Sequence, residues 1–91
     1  MNDPLAPLRN RFRARAESDL AQLRHLAKGN PGGEDLRRLV HNLAGAAGTF
    51  GYPELSQAAM AIDDRLTAGQ TPDIAQIELL DQRLQSVIQG P

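Results

Sequence analysis

The chain has 91 residues, 23% of them charged and 41% hydrophobic, with a formal net charge of -1 and no cysteine. That length supports one small domain, residues 1–91, with a single core and no room for a large internal cavity, so function is expected on the surface. The near-neutral total argues against nucleic-acid or anionic-membrane binding, and the missing thiols exclude disulfides, thiolate metal sites and cysteine nucleophiles.

Apolar residues Leu5, Leu8, Phe12, Ala16, Leu20, Leu23 and Leu26 or Ala27 recur at spacings of three and four, predicting an amphipathic helix from about Pro4 to Lys28. Its basic residues Arg9, Arg11, Arg13 and Arg15 alternate along the chain, which scatters them around a helix instead of lining one face. They read as a solvated surface. His25, beside Arg24, reads as solvent-facing. The turn residues Gly29-Asn30-Pro31-Gly32-Gly33 then oppose helix propagation.

Glu34 and Asp35 open a second helix favourably, because acids complement the exposed amides of a helix N-terminus. It carries Leu36 through about Phe50 and ends near Gly51. At about 100° per residue, Leu36, Leu39, Val40, Leu43, Ala47 and Phe50 fall within roughly 50° of one direction. They form a core stripe. His41, Ala44, Gly45 and Gly48 cluster on another side, placing an imidazole on a floor without bulky side chains.

Pro53 fits the first turn of a third helix bearing Leu55, Ala58 or Ala59, Ile62 and Leu66, before Gly69-Gln70 breaks the pattern. Thr71-Pro72 reads as an N-cap and first-turn pair for a fourth, with Ile74, Ile77, Leu80 or Asp81, Leu84 and Val87 or Ile88 inward and a fade at Gly90-Pro91. No strand pattern or repeat interrupts this series. The fold class is all-α: an up-and-down, antiparallel four-helix bundle whose large anchors are Phe12 and Phe50. From the start, Met1-Asn2-Asp3-Pro4, onward there is no apolar run of signal-peptide or transmembrane length, so a soluble, cytoplasmic protein is expected.

Charge divides unevenly. Through Val40 eight basic residues face five acids, whereas from His41 onward two arginines face six acids. Two helix-interior glycines cost about 2 kcal/mol relative to alanine, so something is expected to approach the backbone at Gly45 and Gly48. Arg37 and Arg38, one turn before His41, offer guanidinium groups to acids on a partner or to oxygens on a group carried by the ring. One alternative ends the helix near Ala44 and leaves His41 on an ordinary surface; continued apolar spacing through Phe50 argues against it. Another makes the small residues a packing or homodimer seam, which would bury His41 awkwardly. Asp63 and Asp64 read as helix-surface acids.

His41, Leu43, Gly45, Gly51, Leu55 and Asp63 resemble the pattern of histidine-containing phosphotransfer (HPt) domains: His, then Leu at two, Gly at four and about ten, Leu at about fourteen and an acid at about twenty-two places on. The expected bundle extends the likeness over essentially the whole chain. Ala44 stands where the family usually has lysine, and Ala46 where it often has serine. Arg37 or Arg38 could stand in for the missing charge. The resemblance implies a phosphorelay phosphoprotein in two-component signal transduction, with His41 attacking the phosphoaspartate of a response-regulator receiver through Nε2 and later returning the group to another receiver aspartate. It would be a carrier without kinase activity, docking through Arg37, Arg38, Ala44, Gly45 and Gly48. It would need no cofactor or metal of its own, magnesium belonging to the receiver. Receiver domains and a hybrid histidine kinase are the implied partners, nucleic acid and membrane are not, and a monomer is expected. The rival function is a helical adaptor that docks on a receiver or kinase domain without transfer.

Overall fold

In the computed structural model, which describes residues 3–90, four helices follow one another: α1 (Ala6–Gly29), α2 (Glu34–Thr49), α3 (Pro53–Thr67) and α4 (Ile74–Gln89). Met1, Asn2 and Pro91 lie outside the described residues. Each helix packs beside two neighbours in the cyclic order α1, α2, α3, α4, and among the described residues the backbones of diagonal helices do not approach closely. This is the expected up-and-down bundle, drawn out to 47 × 20 × 19 Å.

The expected inward residues largely build the core. Phe12, Ala16, Leu20 and Leu23 of α1 meet Leu36, Val40, Leu43 and Ala47 of α2, Leu55, Ala58, Ala59 and Ile62 of α3, and Leu80, Leu84 and Val87 of α4. Phe12 is buried and stacks on Tyr52 at 5.1 Å, with the half-buried Phe50 ring at 5.4 Å. The aromatic anchor is therefore a trio rather than a pair. It ties α1 to the turn between α2 and α3.

That turn is tight. Phe50 caps α2, Gly51 takes φ +83°, and the Tyr52 amide reaches back to the Ala47 carbonyl at 2.8 Å. A side chain at Gly51 would be strained in this left-handed conformation. Pro53 then starts α3 without losing an intrahelical bond. The short connection holds α2 and α3 side by side.

Several sequence expectations are corrected. α1 begins at Ala6, two residues after Pro4, and its first apolar residues Leu5 and Leu8 remain exposed because they project beyond the core layers. Thr71-Pro72 does not start α4: Asp73 is the N-cap, in a reciprocal capping box with Gln76. Pro72 is buried in the extended connection, and the Arg65 guanidinium donates twice to the Thr71 carbonyl at 2.9 and 3.1 Å. Ile74, in the first turn, is consequently turned outward and 76% exposed.

Candidate functional site

His41 stands mid-way along α2, eight residues before its C-terminal end, with helical residues on both sides. Leu36, Val40, Leu43 and Ala47 bury the opposite stripe and fix the helix against rotation. The imidazole therefore projects outward, its side chain 66% exposed. Neither the uncoiled alternative nor a buried packing seam within the bundle describes it.

Its Nδ1 lies 3.0 Å from Oδ2 of Asp63 on α3. An ionised carboxylate can only accept, so this contact selects the ring form with hydrogen on Nδ1. The lone pair is then on Nε2. Asp63 is itself held: only 17% of its side chain is exposed, and Thr67 Oγ1 lies 3.5 Å from its other oxygen. The ring is thus oriented by a carboxylate while its reactive edge faces water. Such an imidazole can act as a nucleophile or accept a proton at Nε2.

Reading Asp63 as an ordinary surface acid is accordingly corrected, whereas Asp64 is exposed as expected. The missed signal is a register. His41 and Asp63 are equidistant from Tyr52 in the α2–α3 turn, eleven residues on either side, and equal rise per residue brings them level. The acid twenty-two places after the histidine in the family pattern was the same information.

The family model of the Hpt domain matches residues 7–90. The chain belongs to the Hpt domain family. Comparison with curated proteins and with solved structures gave no match. Hpt domains act in histidine phosphotransfer within phosphorelays and interact with receiver domains of two-component systems. No helix among the described residues of this Hpt domain is long and apolar enough to cross a membrane.

Around the ring, the expected floor is only partly present. Gly45 and Gly48 are exposed, and a Cβ placed at Gly45 would meet nothing within 4 Å. The bundle itself does not demand that glycine. At Gly48 a Cβ would touch Ser56 Oγ at 3.5 Å, ordinary contact. Ala44 is a correction: it is buried, 8% exposed, beneath α3, where Ser56 Oγ donates to its carbonyl at 2.8 Å. It therefore belongs to the core and offers no docking surface.

The two arginines part ways. Arg37 lies two turns before Ala44, on the side of α2 that α3 covers, and donates from Nε and Nη2 to Glu34, the shortest contact being 2.6 Å. Hydrogen bonding and attraction to Glu34 raise its pKa further, while its guanidinium draws the Glu34 carboxyl below the usual range. Arg38 turns the other way, to 3.7 Å from Asp35, and lines a groove of about 560 Å³ between α1 and α2. His25 borders that groove and is exposed, as expected.

Proposed function

We propose that this Hpt domain carries a phosphoryl group on Nε2 of His41 between receiver domains. The observation that carries the reading is the exposed ring whose Nδ1 faces Asp63 at 3.0 Å, leaving Nε2 as the available nucleophile. In the transfer step the Nε2 lone pair attacks the phosphorus of a receiver phosphoaspartate. The phosphorus–oxygen bond to the acyl group breaks, and the receiver recovers its carboxylate. The ring becomes an N-phosphorylated imidazolium, its proton still on Nδ1 and its positive charge beside Asp63. The return step reverses these bonds toward another aspartate.

Phosphoryl transfer is chiefly a problem of in-line positioning and charge stabilisation, so one nucleophile on a rigid helix suffices here. Magnesium and most polar groups are supplied by the receiver, and the chain acts as a carrier without kinase activity. Arg38, Gly45 and Gly48 form the docking surface, with the half-exposed Met60 of α3 alongside. A floor this small favours reversible contact with receivers and with a hybrid histidine kinase. We place the protein in the cytoplasm as a monomer.

A specific observation favours a second reading, an adaptor that docks without transfer: Ala44 replaces the family's lysine and is buried. Incubation with a phosphorylated receiver separates the two. Transfer yields an acid-labile, alkali-stable adduct, absent from His41→Gln while that variant still binds the receiver. Binding by the unaltered protein without any adduct would establish the adaptor instead.

A further inference from the structure

We propose that Arg37 is the phosphoryl-binding cation of this chain, held in waiting by Glu34 and transferred to the phosphoryl oxygens once His41 is loaded. The inference rests on His41 as the phosphoacceptor. It follows from the charges around the ring. Phosphorylation adds roughly two negative charges. They would arrive beside Asp63, already 3.0 Å from Nδ1, and near Glu34 on the preceding stretch of the same helix. The imidazolium formed on loading offsets Asp63, but it leaves the phosphoryl charge and the Glu34 carboxylate without a cation of their own.

The possible cations can be compared by where their side chains go. Position 44 supplies none, because alanine carries no charge. Arg65, on α3 beyond Asp63, donates to the Thr71 carbonyl and lies 3.5 Å from Asp73. Arg38 faces Asp35 and the α1–α2 groove. Arg37 alone of these is on the side of α2 that α3 covers, two turns before the buried Ala44 and one turn before His41, where residues at this spacing have Cβ atoms about 5–6 Å apart. Its side chain is 37% exposed.

The Glu34 pair explains how a cation can wait there without closing the site. Arg37 spends Nε and Nη2 on Glu34, and Nη1 takes no part in that pair. Glu34 is itself largely exposed, so its carboxylate can be surrendered to water. A phosphoryl group offers three strong acceptor oxygens and more charge than one carboxylate, and a guanidinium fork suits it bidentately. The exchange breaks the Arg37–Glu34 hydrogen bonds and makes guanidinium–phosphoryl bonds; no proton moves.

Two measurements test this. Potassium phosphoramidate, a small-molecule donor to histidine, loads the ring without a receiver, and nitrogen-15 NMR follows the Arg37 Nε–H resonance. On loading it should shift, and Glu34→Gln should shift the resonance of the unloaded protein. In transfer from a phosphorylated receiver, Arg37→Ala should lower the rate at saturating receiver about tenfold or more, with Arg37→Lys in between and Arg24→Ala, in the α1–α4 pair with Asp81, at the original rate. A purely docking role would raise the half-saturating concentration and leave the saturating rate alone. That result, or an Arg37 resonance unmoved in the loaded protein, overturns the proposal. If neither donor phosphorylates the unaltered chain, the failure lies with His41 as acceptor, and this inference falls with it.

Discussion

Replacing Asp63 by Asn removes the negative charge beside His41 Nδ1 while keeping nearly the same shape. Two consequences slow the reaction. The imidazolium formed on transfer loses the carboxylate that offsets its charge, and the amide can turn its NH2 group to Nδ1, forcing hydrogen onto Nε2 and removing the attacking lone pair. A hydrogen bond to a charged partner contributes about 1.5–3 kcal/mol, whereas exposed ion pairs contribute about 1 kcal/mol or less. This pair lies between those limits, since the histidine side chain is 66% exposed and the aspartate 17%. About 1–2 kcal/mol is therefore the appropriate range, a slowing of roughly 5- to 30-fold at 1.36 kcal/mol per decade. Rapid-quench measurement of phosphohistidine formation from a phosphorylated receiver reads the rate, and ring nitrogen-15 shifts read which nitrogen carries hydrogen. Asp64→Asn, on an exposed neighbouring position, is the control. A folded Asp63→Asn protein that gains phosphoryl within twofold of the original rate would show that the carboxylate does not assist His41.

Two further outcomes are expected away from the ring contact. Asp19 is buried in α1 with Arg15 at 3.4 Å, and burial raises its pKa more than Arg15 lowers it. The folded chain thus holds this proton more tightly than the unfolded one, so stability declines as pH rises from the usual carboxyl range through the raised value. Asp19→Asn should accordingly unfold at higher urea than the original at pH 7, the advantage shrinking toward pH 4; a less stable variant at pH 7 would mean that the Arg15 pair outweighs the burial. Gly45→Ala should raise stability by up to about 1 kcal/mol, a melting point higher by roughly 4–8 °C, because the new methyl group meets open space. It should also raise the half-saturating receiver concentration, and a stabilised variant with unaltered docking would detach Gly45 from the partner surface.

Much of this architecture is written in local signals. Gly29 to Gly33 and Gly51 to Pro53 mark where helices stop and start, and the three-and-four spacing of Leu36, Val40, Leu43 and Ala47 names the buried face of α2. What escaped depends on contacts between helices. Ala44 looks like floor on a lone helical wheel, but α3 crosses close enough for Ser56 to reach its carbonyl, so the covered arc of α2 is wider than its large apolar residues indicate. Asp63 looks ordinary until the α2–α3 register is known. Thr71-Pro72 has the composition of a helix start, yet the Thr71 carbonyl is taken by Arg65 and the Asp73–Gln76 pair closes a better cap two residues later. Ile74 faces outward as a result, and its apolar side chain alone could not reveal that.

The glycines of α2 show where stability and reactivity pull apart. Gly48 has a neighbour in Ser56, yet an added methyl group would only reach ordinary contact, and Gly45 has no neighbour at all. Packing within the chain therefore requires neither, although each lowers helix propensity by about 1 kcal/mol against alanine. The opposite stripe of the same helix is filled by large aliphatic side chains, which supply stability that the outer stripe can give up. What the outer stripe gains is access: the approach to Nε2 stays free of side chains one and two turns beyond the ring, while Asp63 orients that ring from α3 and Arg37 pairs with Glu34 on the turn before it. On the proposed transfer to Nε2, a receiver would bring its phosphoaspartate in line with that nitrogen, and the lowest obstacle to such an approach is a backbone without a Cβ.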